Sequence, residues 1–166
     1  MPRLRHEPLI ALSCRGRQSE IRPALEAVRA AVGSHLANCE AGMLDSVEIA
    51  LAEVLNNIVE HAAPSDTRGA IRISACGLMH ALAVCISDDG RPMPGLCLPA
   101  GALRDLSVPL GDLPEGGFGW GLVRALSSGL RYRRRLGRNE LAMCFLCLSG
   151  EGRGIPAAGA APKSPN

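Results

Sequence analysis

The chain predicts an α/β protein of the α+β sandwich kind, a mostly antiparallel mixed sheet covered on one face by about three helices. Two observations lead there. Apolar residues alternate between helical and strand periodicity in the order β-α-α-β-β-loop-α-β-β, and the later strand-like runs come as adjacent hairpins. Neighbouring hairpins exclude a doubly wound parallel sheet, whose strands need a crossover helix between them. The composition agrees: of 166 residues, 47% are hydrophobic and 20% charged, enough to bury a core in one domain of ordinary size.

Each element has a local reason. Pro8 to Cys14 reads as a strand after a short basic arm. Ser19 is placed to cap a helix in which Ile21, Leu25, Val28 and Val32 recur on one face, with Gly33 as its stop. A second helix is expected from Asp45, which with Glu48 has the shape of a capping box. Val47, Leu51, Val54 and Ile58 form its buried stripe, and it ends before Pro64. Ala70 to Cys76 and His80 to Ser87 are β-capable runs around Gly77-Leu78-Met79, a hairpin. From Asp88 to Glu115 runs a long loop with five prolines; a stretch of that kind inside a compact domain is usually functional, for example a lid. A glycine-rich turn then opens a third helix carrying Leu122, Val123 and Leu126, closed by Gly129. Leu130 to Leu136 and Asn139 to Leu148 form the last antiparallel pair, turning at Gly137-Arg138. Residues 1–149 are read as one domain, and 150–166, rich in Gly, Ala and Pro, as a disordered tail.

Aromatics are only 2% of the chain, so Leu, Val, Ile and Ala must build the core. A net charge of +2 gives no argument for nucleic acid. The seven cysteines are odd in number and sit mainly in apolar segments, which reads as reduced core thiols in a cytoplasmic protein. Cys144 and Cys147 have the C-x-x-C spacing, but on a strand they would point to opposite faces, poor geometry for a chelate or redox pair. No secretory signal leads the chain and no apolar run reaches the roughly 20 residues of a membrane span.

Three segments carry chemistry. Glu53 and Asn57 stand four apart on one helix face; a carboxylate can accept a proton, and an amide oxygen is a hard ligand for Mg²⁺. Asn57 borders the apolar stripe, at the edge of a cleft. Asp88 ends an apolar strand, where a carboxylate is costly unless paired, and is suited to accept a hydrogen bond from an exocyclic amine. Gly117-Phe118-Gly119-Trp120-Gly121 opens a helix and offers backbone amides at the positive end of its dipole, a site for phosphate. No Lys-Ser/Thr follows, so this is not a Walker A loop. Taken singly, each has a plain reading: a solvated pair, an Asp-Gly turn, a flexible turn.

In this order and spacing, Glu53-x-x-x-Asn57-x-x-x-His61, Asp88-Asp89-Gly90-Arg91-Pro92 and Gly116-Gly117-Phe118-Gly119-x-Gly121 resemble the N, G1 and G2 boxes of the GHKL (Bergerat-fold) ATPase superfamily. Within it they look most like the anti-sigma-factor serine/threonine kinase branch, over roughly residues 8 to 148. The resemblance implies ATP and Mg²⁺ as cofactors. Asn57 would ligate the metal, Glu53 would be the general base toward a protein hydroxyl, and Asp88 would bind the adenine amine beside Gly90. Gly117 and Gly119 would hold phosphates, with the 91–115 loop closing over them. It further implies a sigma factor and a STAS-type anti-anti-sigma protein as partners, homodimerisation, and neither direct nucleic-acid nor membrane contact.

Two departures from the branch stand out. Where an arginine is common before the second glycine box this chain has Pro114-Glu115-Gly116, and a glutamate there repels phosphate oxygens. The Gly-Thr often found before the last strand is replaced by Gly137-Arg138-Asn139-Glu140. An ATP-dependent protein-binding switch with little kinase activity, and the ATPase module of a split histidine kinase, are therefore alternatives. His61 is read as packed or capping, Trp120 as packing against the lid, and Arg131, Arg133, Arg134 and Arg135 as a docking patch or a water-facing row.

Overall fold

A computed structural model describes residues 8–62, 69–100 and 119–147. The basic arm, Glu115, Gly117, most of the 91–115 loop and the tail lie outside the described residues. Five strands form one sheet: β1 (Ile10–Arg15), β2 (Ala70–Leu78), β3 (Ala81–Asp88), β4 (Gly129–Arg135) and β5 (Arg138–Leu146). Their spatial order is β1-β2-β3-β5-β4, and every neighbouring pair runs antiparallel. The helices are α1 (Gln18–Leu36), α2 (Met43–Asn57), which continues into a π-helical turn at Ile58–Ala62, and α3 (Gly119–Leu126). All three pack on one face of the sheet, as the sequence predicts.

Strand alternation decides which face that is. Ile71, Ile73 and Ala75 of β2, Leu82, Val84 and Ile86 of β3, and Leu141, Met143 and Phe145 of β5 are buried in one cluster. They meet Val28 and Val32 of α1, Val47, Leu51, Val54 and Leu55 of α2, and Val123 of α3. Each buried Val, Leu, Ile, Met or Phe side chain contributes about 1.5–3 kcal/mol of burial free energy. Among the described fully buried residues Phe145 is the one aromatic, with Trp120 and Tyr132 packed half-buried against the cluster.

Local expectations fail where packing outweighs them. Gly33 does not stop α1, because Leu36 extends the Val28–Val32 stripe by another turn and is buried with it. The residue preceding α1 is Arg17, not Ser19, and it makes no side-chain cap. The Asp45–Glu48 capping box is absent too: α2 begins at Met43 after Gly42, whose φ of 87° suits glycine. Both carboxylates instead accept hydrogen bonds from the Arg29 guanidinium, Asp45 at 2.8 Å, so the acids tie α2 to α1. At the other end of α1, His35 sits over Gly77. A Cβ there would come within 2.6 Å of the imidazole, while Nε2 of the ring lies 3.2 Å from the Ala81 carbonyl oxygen. The β4–β5 turn falls at Leu136 and Gly137, with φ of 50° and 78°, matching the twist of a two-residue hairpin.

The cysteines correct the expectation of uniformly reduced thiols. Cys39, just past α1, is disulfide-bonded to Cys147, just past β5. Sequence reading could not pair them, since 108 residues separate them and only the fold brings the end of α1 beside the end of β5. Cys144 does not pair with Cys147, as the opposite facing of strand residues three apart requires; it is free, with Cys14, Cys76, Cys85 and Cys97. Among the described residues no helix is long and apolar enough to cross a membrane.

Candidate functional site

Between the C-terminal half of α2, the start of α3 and the end of β3 lies a cavity of about 1030 Å³, at the upper end of the size usual for small-molecule sites. Its wall includes Glu53, Asn57, Asp88 and Gly119. Sequence reading singled out all four, and the fold brings them together. Gly90 lies beside them through Asp88; Gly117 is outside the described residues.

One end of the cavity is set by how closely α3 approaches α2. A Cβ added to Gly119 would stand 2.5 Å from Glu53 Oε2 and 3.5 Å from Asn57 Nδ2. Real side-chain carbons do not occupy such a position, so any larger residue here would force the Glu53 carboxylate to move. Asn57 Nδ2 donates to the Glu53 carbonyl oxygen at 2.7 Å. That bond uses the amide nitrogen and leaves Oδ1, the atom a hard cation would take, without a hydrogen bond among the described residues. The residues present therefore fit a divalent ion beside a carboxylate.

At the other end, Asp88 is only 6% exposed. Its Oδ1 accepts from the Gly90 backbone N–H at 2.9 Å and from Asn139 Nδ2 at 2.8 Å. Burial pushes its carboxyl above the ordinary range, and the Asn139 and Gly90 hydrogen bonds oppose that rise; the neighbouring Asp89 adds to it and Arg134 works against it. The structure gives Asp88 the partners that a buried carboxylate needs.

Asn139 was missed as a functional residue. It is buried and directly opposite Asp88 in the β3–β5 register. Besides Asp88 it donates to the Arg91 carbonyl oxygen at 2.9 Å, and its Oδ1 accepts from the Tyr132 hydroxyl at 2.8 Å and from Arg134 Nη1 at 2.7 Å. Arg134 also donates to the Gly90 carbonyl oxygen at 3.0 Å, and the Met93 N–H to the Tyr132 hydroxyl oxygen at 3.2 Å. One amide thus holds Asp88 and the start of the long loop. It lies in the Gly137-Arg138-Asn139-Glu140 stretch that departs from the family pattern.

Other expectations are adjusted by the geometry. His61 is not packed: it is exposed at the cavity rim, 3.8 Å from Glu60. Trp120 is half-buried, packs against the core and lines the cavity. Arg131, Arg133 and Arg135 face solvent, whereas Arg134 turns to the helix side of the sheet. Arg124 of α3 grips the Pro99 carbonyl oxygen with Nε at 3.0 Å and Nη2 at 2.8 Å, joining α3 to the far end of the described part of the loop.

The family defined by the histidine kinase-like ATPase domain matches residues 16–145. The chain belongs to this family. Membership of an ATPase family implies ATP binding. A comparison with curated proteins finds no match. Among solved structures, the RsbU and RsbW domains of Rv1364c from Mycobacterium tuberculosis share the fold with a TM-score of 0.54 at 15% identity. The alignment covers 83% of this chain and 32% of that one, so this ATPase domain spans about a third of its neighbour. The blue-light-activated histidine kinase domain of Erythrobacter litoralis aligns with a TM-score of 0.48 at 18% identity, covering 76% of this chain and 61% of its own.

Proposed function

We propose that this histidine kinase-like ATPase domain is an anti-sigma regulatory protein. In this reading it binds Mg-ATP, phosphorylates a serine or threonine of a STAS-type anti-anti-sigma partner, and sequesters a sigma factor. The supporting observation is the contact of Gly119 with Glu53 and Asn57, which sets a carboxylate and a free amide oxygen beside the turn expected to hold phosphates. The neighbour containing an RsbW domain supports the fold of this reading.

The geometry is compatible with the roles that the resemblance implies. Bound Mg-ATP supplies the transferable phosphoryl group and the cation that neutralises its charge. Asn57 Oδ1 is the metal ligand. Glu53 accepts the proton of the incoming hydroxyl, and the close approach of α3 fixes its position. Asp88, held through Oδ1 by Asn139 and Gly90, offers its second oxygen to the exocyclic amine of adenine. Positioning of this kind is most of what phosphoryl transfer asks of a protein.

Glu115, standing in the sequence where the branch commonly has an arginine, favours a second reading, an ATP-dependent switch that binds a partner with little turnover, because a carboxylate in that role would repel phosphate oxygens. Incubation with Mg-ATP and a STAS-domain protein separates the two. Serine or threonine phosphate on the partner, lost in Glu53→Ala while ATP still binds, establishes the kinase. Tight ATP binding with no transfer establishes the switch.

A further inference from the structure

The helices cover one face of the sheet, and the described residues leave the other face open. Small neutral residues in register, Ala11, Ser74, Cys85 and Ala142, form a floor across β1, β2, β3 and β5. Beside them lies a groove of about 740 Å³ whose walls include Arg72, Arg131, Arg133 and Glu140. Arg133 is paired with Glu140, whereas among the described residues Arg72 and Arg131 have no carboxylate within ion-pair distance. Arg135 and Arg138 face one another across the β4–β5 pair at the end of the same face. On the strands this face sets six arginines, counting Arg15, against the single carboxylate Glu140, although the whole chain carries a net charge of only +2.

We propose that this open face is a docking groove for a protein partner presenting an amphipathic helix, with an apolar ridge flanked by Asp and Glu. The small floor residues leave room for a ridge of larger apolar side chains. The unpaired guanidiniums suit bidentate contact with carboxylates on either side of it. A second copy of the chain would bring like charge against like charge. Single-stranded nucleic acid would find no stacking platform among the described residues: Tyr132 turns its hydroxyl to Asn139 on the helix side, Phe145 is buried there, and Trp120 belongs to the other cavity. Neither chain end is acidic, since residues 1–7 carry two arginines and one glutamate, and 150–166 one glutamate, one arginine and one lysine.

The test is titration of the full chain with a synthetic helical peptide bearing a Leu/Ile ridge flanked by Glu, followed by amide NMR and fluorescence anisotropy. Shifts are expected at Ala11, Ser74, Cys85 and Ala142. The double variant Arg72→Glu/Arg131→Glu should weaken binding about tenfold or more while ATP-analogue affinity is unchanged, and a Lys-flanked peptide should then bind that variant better than wild type. Absence of shifts on this face overturns the proposal. So does equal binding of a permuted acidic peptide without the ridge, or tighter binding of a single-stranded oligonucleotide of equal charge. A wild-type dimer in sedimentation that the double variant dissolves would assign the face to a second copy instead, and also overturn it.

Discussion

Asn139 donates to Asp88 across the β5–β3 pair at 2.8 Å, a hydrogen bond between buried side chains 51 residues apart in the chain. It joins the carboxylate proposed to bind adenine to the first buried residue of β5. Because the same amide accepts from Tyr132 and Arg134, its loss would leave several polar groups unpaired.

Asn139→Ala should therefore cost about 1–3 kcal/mol of stability, read as a lower urea midpoint. It should also erode discrimination between ATP and GTP, because Asp88 loses the bond that orients it. An unchanged midpoint with unchanged selectivity would remove Asn139 from the site.

Gly119→Ala tests the meeting of α3 with α2. The added methyl would stand where Glu53 Oε2 now approaches, so Glu53 must move. A displacement of about 1 Å at a reacting group can cost about 10²-fold in rate, and a loss of that order in phosphoryl transfer or ATP turnover is expected with the circular dichroism spectrum unchanged. Wild-type turnover in the variant would show that Glu53 has no positional role.

Asp88 predicts a pH dependence. Its folded carboxyl is raised above the unfolded value, chiefly by burial. The protonated form is thus favoured by folding, and this stabilisation is complete below the ordinary aspartate range and lost as pH rises through the raised value. Asp88→Asn should melt at a higher temperature than wild type at neutral pH without nucleotide, and the gap should close on acidification. The same variant should lose its preference for ATP. A gap that stays constant with pH would contradict the assignment.

The Cys39–Cys147 bond closes a long loop, and reduction should cost about 2–4 kcal/mol. Denaturant midpoints with and without reductant measure this, with Cys39→Ser/Cys147→Ser as the control that reductant no longer affects. Nucleotide affinity should not change, since the bond follows the last residue of β5 while Asn139 and Asp88 pair at its first turn.

Asn57→Ala should abolish the Mg²⁺ dependence of ATP affinity, because Oδ1 is the end of the amide left free by the bond to Glu53. Calorimetry with and without Mg²⁺ decides; equal magnesium dependence in variant and wild type would refute the assignment.

Much of this was readable in the chain. The Val47, Leu51, Val54 and Ile58 stripe, the alternating runs of β2 and β3, and the order of Glu53, Asn57, Asp88 and Gly119 follow from local periodicity and spacing, and the helix-on-sheet architecture follows from those. Residues whose role depends on a distant partner misled. Asp45 and Glu48 read as a cap because their nearest neighbours in sequence allow it, yet Arg29 from another helix takes both. Gly33 read as a stop, yet burial of Leu36 outweighs its poor helix propensity.

Periodicity along a chain reports which residues are buried, because burial repeats with the pitch of the element; hence the layers were visible in the sequence, while the candidate site was visible through the resemblance of its three motifs. Which strand lies beside which, and in what register, is settled by the packing of remote segments. The Asp88–Asn139 bond, the inward turn of Arg134, the Cys39–Cys147 link and the arginine-lined open face all depend on that register, and so came to light only in three dimensions.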